Sequence, residues 1–145
     1  DPASVGRKLA AKRLAASPVR VDFAELDGNR IGLGDASMDA ALSTFTLCTV
    51  PDEQATLAEI ARVLRPGGRI YFLEHGRSDD TRVATRQERF DGIQQRVAGG
   101  CHLTRDHAAE LADAGFSDVE CVNFTIAGPA TMSFMYAGSA RRPDA

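Results

Sequence analysis

The sequence predicts an α/β fold organised around a parallel sheet, and three observations carry that expectation. Residues 38–50, MDAALSTFTLCTV, are nearly continuous in apolar and β-forming residues, the pattern of a strand covered on both faces. Residues 70–73, IYFL, form a second apolar run without alternation. Between the two, Leu57, Ile60, Ala61 and Leu64 recur at i, i+3, i+4 and i+7, which gives a helix one apolar face to lay against a sheet. Strand, helix, strand in that order is the crossover unit that joins parallel neighbours.

The remaining elements follow in chain order. Residues 4–16, SVGRKLAAKRLAA, place Val5 and Leu9 at helical spacing behind Ser4 as N-cap; Arg7, Lys8, Lys12 and Arg13 then form a solvated face. Residues 19–26, VRVDFAEL, alternate with β-branched and aromatic residues as a strand does, and the turn-rich DGNRIGLGDAS follows as a loop. The 44–50 end of the next strand is expected to leave the sheet. The helix that starts after Asp52 is stopped by Pro66, with Arg65 suited to its negative end and Gly67 and Gly68 supplying positive φ for a tight reversal. Residues 79–97 read as a longer helix with Val83, Phe90, Ile93 and Val97 along one stripe and arginines opposite. LTRDHAAELADAGF reads as another, with Thr104 as N-cap, Asp106 in the first turn and Gly115 as the stop. Residues 119–126 and 132–137 read as two antiparallel strands around AGPAT. There is no internal repeat and no low-complexity linker.

Composition limits the function classes. A chain of 145 residues with 43% apolar content can bury one core, so one compact domain or a piece of one is expected. A formal net charge of -3 and a pI near 5.6 argue against a nucleic-acid binder that works by neutralising phosphates and favour a small or lipid-like substrate. Cys48, Cys101 and Cys121 are odd in number and form no C-x-x-C pair, so neither a disulfide framework nor a zinc knuckle is indicated and a reducing, cytoplasmic setting fits. No apolar run approaches the roughly 18 residues that span a bilayer, and the first residues lack the apolar core of a secretory signal. The arginine-bearing helix over residues 82–96 leaves a membrane-peripheral location open against a solvated face.

Few candidate chemistries survive their context. Gly32 and Gly34 in GLGDAS suggest a dinucleotide loop, but the third glycine is absent and no helix opens there. CHLTRDH gathers Cys101, His102, Asp106 and His107, yet no recognised ligand spacing is met and a capped helix start accounts for most of it, so no metal is assigned. The cysteines read as buried small hydrophobes, since a thiol nucleophile needs a positioned base. Glu74 and His75 end a buried strand, and ligands of open α/β sheets bind outside the carboxyl ends of strands. Thr44, Phe45 and Thr46 gain weight by the same geometry; a solvated strand end is the plain alternative.

The order of these elements, with SMDAALSTFTLCTVPD and RVLRPGGRIYFLEHG, resembles the class I methyltransferases that use S-adenosylmethionine, in the type-11-like branch that includes the ubiquinone and menaquinone methyltransferases. VAGGCHLTRD and PATMSFMYAGSARRP are more similar still to the group of alkyl thiol methyltransferases and phospholipid N-methyltransferase-like proteins. The resemblance implies a Rossmann-like sheet with flanking helices and a set of roles. Asp1 matches the acidic residue that binds the cofactor ribose, and Asp27 and Gly28 match the pair that meets adenine. Thr44 and Phe45 match the segment lining the methyl donor, and His75 matches the strand-end position facing the acceptor. Methyl transfer to a thiol, amine or quinone-type carbon proceeds by in-line displacement and asks for orientation rather than a metal; with a thiol acceptor, His75 would serve as base.

One signature of the family is absent. The glycine-rich loop after the first strand does not occur in the sequence, which begins at the end of the family's second strand, so residues 1–145 are expected to be the C-terminal portion of a single methyltransferase domain lacking the first two strands. The strand at 19–26 would then have no neighbour in its usual place. Unpaired buried backbone groups cost about 1–3 kcal/mol each, so the fragment is expected to fold poorly alone or pair its strands differently, to bind cofactor weakly and to be inactive by itself. A non-catalytic α/β module is the rival expectation, and a nicotinamide enzyme would need the missing G-x-G-x-x-G. Oligomeric state stays open.

Overall fold

The computed structural model describes residues 4–24, 26–27 and 30–144. The chain runs through α1 (Ser4–Ala15), β1 (Leu26–Asp27), β2 (Arg30–Ile31), β3 (Met38–Thr44), α2 (Glu53–Val63), β4 (Leu64–His75), α3 (Thr81–Val97), α4 (His107–Asp113), β5 (Ser117–Thr125) and β6 (Phe134–Arg141). A four-stranded sheet has the order β3-β4-β6-β5, with β3 and β4 parallel and the other pairs antiparallel. β1 and β2 form a separate two-residue antiparallel ladder.

The crossover is the framework of the fold. The Asp52 carboxylate accepts the Ala55 N–H at 2.9 Å and so caps α2, whose Leu57, Ile60 and Val63 are buried. The helix stops at Val63, and the ladder begins at Leu64, which pairs with Met38. Only Gly67 of the glycine pair has positive φ, at 76°. Gly68 answers a different need: a Cβ there would lie 2.9 Å from the carbonyl oxygens of both Arg65 and Asp39. The second glycine therefore permits a close approach of backbones rather than a left-handed turn.

One core cluster joins sheet and helices. Leu57 and Ile60 of α2 and Leu111 of α4 pack on Ile70, Phe72, Phe134 and Tyr136. The other face of the sheet is open, with Leu42 77% and Tyr71 47% exposed, so β3 is not the doubly covered strand that its apolar run predicts. Membrane-spanning length is not reached by any described helix that is also apolar enough.

Four further expectations are corrected. Residues 17–24 take no strand, and only Leu26–Asp27 of the predicted 19–26 strand is paired. Alternation makes a strand only where a neighbouring backbone completes the ladder. Val19, Val21 and Phe23 are accordingly 67%, 47% and 54% exposed. Ser4 is the first helical residue of α1 rather than its N-cap. Asp106, not Thr104, caps α4 by accepting the Ala109 N–H at 3.2 Å. The α3 stripe faces outward: Phe90, Ile93 and Val97 are 49%, 58% and 76% exposed, and the helix buries Ala84 and Gln87 instead. Gly115, at φ 85°, ends the α4 turn as expected, and β5 and β6 pair antiparallel as expected.

Candidate functional site

Because β3 and β4 run parallel, Thr44 and His75 finish at the same edge of the sheet. The chain leaves β3 through Phe45, a non-glycine residue at φ 49° whose N–H donates to the Leu73 carbonyl at 3.0 Å. A left-handed non-glycine costs energy that the surroundings must hold in place. Here it brings the Phe45 ring within 4.9 Å of the His75 ring.

Strand alternation then separates Glu74 from His75. Glu74 is fully buried and accepts from Ser43 Oγ at 2.7 Å, Thr46 N at 3.1 Å and Cys48 N at 3.2 Å. It turns into the fold and shapes the loop after β3 rather than facing a ligand. His75 points the other way and remains partly exposed.

The His75 backbone is anchored from behind. Its carbonyl accepts from His107 Nε2 at 2.7 Å, while His107 Nδ1 lies 2.6 Å from Glu53 Oε1 at the start of α2. Burial pulls the His107 pKa down, but the hydrogen bond and charge of Glu53 outweigh it, so His107 is held above the ordinary histidine range and donates from both nitrogens. Arg105 Nε sits 3.2 Å from Glu53 Oε2, and its guanidinium donates to Val50 O at 2.6 Å and to Leu47 O. CHLTRDH thus supplies a helix cap in Asp106 and two structural cations.

The same fold gathers sulfur at the strand tip. Among the described residues, Cys48, His75 and Cys101 place one ligand atom each within 4.8 Å of one another. Cys101 Sγ is 3.9 Å from His75 Nδ1, and the His102 N–H donates to Cys48 O at 2.7 Å, which pins the two loops together. Asp91 of α3 holds the second loop by accepting from Leu103 N at 2.6 Å. The hydrogen bond from Cys48 lowers Cys101 to about 6 against the effect of burial, with help from His75. Cys48 is pushed up by giving that hydrogen bond, by burial and by the Glu74 charge.

Beside Phe45 a cleft of about 840 Å³ follows the open edge of β3 from Met38 to Thr44 and is completed by Phe45, Thr46 and Thr49, by α2 at Thr56, Glu59 and Ile60, by Ile31 and Leu33, and by Gly99. No lysine, arginine or histidine is among its described lining residues. Its one carboxylate, Glu59, is held by Arg62 Nε at 2.9 Å and the Ile31 N–H at 3.0 Å, which lower it to about 2. An apolar wall, several hydroxyls and no competing cation suit an adenosyl group that carries a positive sulfonium. The residues present therefore fit that cofactor.

Of the residues the sequence singles out, Thr44, Phe45 and His75 are brought together. Asp27 lies in β1 opposite Arg30, in the hairpin whose end, Ile31, lines the cleft. Asp1 and Gly28 lie outside the described residues. Sequence reasoning misses the Cys48–His75–Cys101 grouping and the Glu53–His107–Arg105 anchor. No local spacing signals either, because each joins residues from separate elements.

The parallel β3–β4 crossover, its flanking helices and the cleft beside β3 make a Rossmann-like methyltransferase fold. A solved S-adenosylmethionine-dependent methyltransferase of Methanosarcina mazei shares that fold, with a TM-score of 0.74 at 18% identity over 99% of this chain and 80% of that one. The family described as "Methyltransferase domain" matches residues 1–72. Thiol S-methyltransferase TMT1B of Rattus norvegicus is 35% identical over 89 residues, 61% of this chain and 36% of that protein. Ubiquinone/menaquinone biosynthesis C-methyltransferase UbiE of Methylobacterium nodulans is 40% identical over 76 residues, 52% of this chain and 29% of its own length. The chain has the fold of the class I S-adenosylmethionine-dependent methyltransferases and is similar in sequence to them, and it spans about a third of the length of these curated relatives.

Proposed function

We propose that the chain forms part of an enzyme that moves a methyl group from S-adenosylmethionine to a small or lipid-like acceptor, with a thiol as the acceptor favoured over an amine or a quinone-type carbon. Residues 1–145 would be one portion of a single methyltransferase domain working in the cytoplasm or at a membrane surface. The observation that carries this reading is the cleft along β3, whose described lining holds no lysine, arginine or histidine, with Phe45 in its wall and the His75 ring against Phe45. The similarity to thiol S-methyltransferases over 89 residues supports the thiol.

The cofactor supplies an electrophilic methyl group on a sulfonium. In this proposal Phe45 offers the face of its ring to that positive charge, an interaction worth about 0.5–2 kcal/mol. Thr44 continues the wall beside it. Asp27 and Gly28 take the adenine edge and Asp1 the ribose, by resemblance. His75, with its backbone fixed by His107, accepts the proton of an approaching thiol.

Calorimetric titration of S-adenosylhomocysteine into the full-length protein tests the reading. Saturable heat is expected, and its absence would favour the non-catalytic module. Turnover by a His75→Ala variant that matched the wild type at every pH would remove His75 as the base.

A further inference from the structure

The geometry points to a metal site: Cys48, His75 and Cys101 form a three-ligand seat for a zinc-type divalent cation, with a fourth coordination position open to an acceptor thiol. The donor set is two sulfurs and one imidazole, a combination that selects soft or borderline ions over magnesium or calcium. Their ligand atoms already lie within 4.8 Å of one another. Tetrahedral coordination at ordinary zinc bond lengths puts sulfur and nitrogen about 3.5 Å apart. Cys101 Sγ and His75 Nδ1 are at 3.9 Å, so a small inward movement closes that edge.

The three residues come from three different segments, after β3, at the end of β4 and after α3, and each is held by bonds that leave its ligand atom facing the others. Cys48 is fixed through its N–H to Glu74 and its carbonyl to His102 N. His75 is fixed through its carbonyl to His107. Cys101 is fixed through its N–H to the Ala98 carbonyl at 3.2 Å. Backbone anchoring of this kind orients metal ligands without consuming their donor atoms.

Among the described residues no fourth donor joins the group. Three protein ligands with one position left over is the arrangement of zinc sites that do chemistry, whereas structural sites are closed by four. Cys48 and Cys101 are buried, and His75 is partly exposed beside Phe45, which lines the cleft. The free position lies on the His75 side of the group, the side that meets Phe45. A thiol that enters it exchanges its S–H bond for a sulfur–metal bond and releases the proton to solvent. With the ion bound, His75 is a ligand; without it, His75 is available as base. The ion site stands by itself, and only the identity of its fourth ligand as the methyl acceptor rests on the proposed function.

Titration of cobalt(II), as a spectroscopic stand-in for zinc, into the reduced, metal-free full-length protein tests the site. The expected result is saturation at one equivalent, with the intense visible absorption of a tetrahedral site, a near-ultraviolet thiolate-to-cobalt band, and loss of both on adding zinc. Cys48→Ser, Cys101→Ser and His75→Ala should each weaken binding more than about tenfold. Cys121→Ser, on β5 and away from the site, should titrate like the wild type, and circular dichroism shows which variants are folded. Added 2-mercaptoethanol should strengthen the thiolate band. Absence of a saturable signal, or a signal that survives in both folded Cys48 and Cys101 variants, overturns the site. A bound cobalt ion whose spectrum ignores 2-mercaptoethanol overturns the open position. Protein that binds S-adenosylhomocysteine but not cobalt refutes the ion site alone, and the opposite pattern refutes the methyl-transfer reading alone.

Discussion

Helices α2 and α3 say nearly the same thing in sequence, an apolar stripe opposite charged residues, yet the fold treats them in opposite ways. In α2 the stripe is the seat: Leu57 is fully buried and Ile60 is 9% exposed. In α3 the stripe is outside, and the buried residues are Ala84 and the amide of Gln87. The crossover between two parallel strands leaves α2 no place but the sheet. By contrast α3 is positioned by specific polar contacts, since Gln87 accepts from Ser78 N at 2.8 Å and donates to Gly76 O at 2.9 Å and Thr131 O at 3.1 Å. Periodicity identifies which face of a helix is apolar; connectivity decides whether this chain covers it.

The contrast can be broken most severely at the base of α2. His107→Ala leaves Glu53 buried beside a void and should cost about 3–5 kcal/mol, read as a lower urea midpoint. Leu57→Ala should cost about 2–5 kcal/mol in the same measurement, because the site is fully packed. On the α3 side the sensitive position is polar: Gln87→Ala strips partners from Ser78 and Gly76 and should cost about 1–3 kcal/mol. Hydrogen exchange at the Ser78 amide should accelerate in that variant.

Acid acts on the outer edge of α2. Glu59 is held at about 2 by Arg62 and the Ile31 N–H, below the ordinary carboxylate range. The stability it lends is present above that range and is lost as pH falls through about 2. Thermal unfolding of Glu59→Gln should fall below the wild type at neutral pH and converge with it in strong acid. The smallest effect is expected on the open stripe: Ile93→Ala, at a position 58% exposed, should shift stability by no more than about 0.5 kcal/mol. A large loss there would mean that the stripe is covered after all.

What the sequence discloses is what is local. Asp52 before an apolar period and Gly115 behind α4 each act within a turn of themselves, and the cap and the stop form where expected. The reading of Leu64, Arg65 and Pro66 as the end of α2 does not hold, because the helix stops at Val63 and these residues open β4. The strand at 19–26 fails because its stabilisation was to come from a neighbour that the described sheet does not provide. Thr104 loses the cap to Asp106, whose carboxylate accepts the Ala109 N–H, while the Arg105 side chain between them bonds the carbonyls of Val50 and Pro51, partners no spacing reveals. At the site, Thr44, Phe45 and His75 are legible because parallel strands share an end. Cys48 and Cys101, 53 residues apart in number, meet only through the packing of two loops, so their partnership with His75 has no local trace.

The direct join of α2 to β4 has a mechanical consequence. With the ladder beginning at Leu64, one residue past the helix, a tilt of α2 must strain the Met38–Leu64 pair. Regular pairing then lapses until Arg69 meets Ala40, so residues 65–68, with Gly67 at positive φ, take up the movement before it reaches the rest of the strand. The tip where β3 runs out at Thr44 is thereby insulated from the helix.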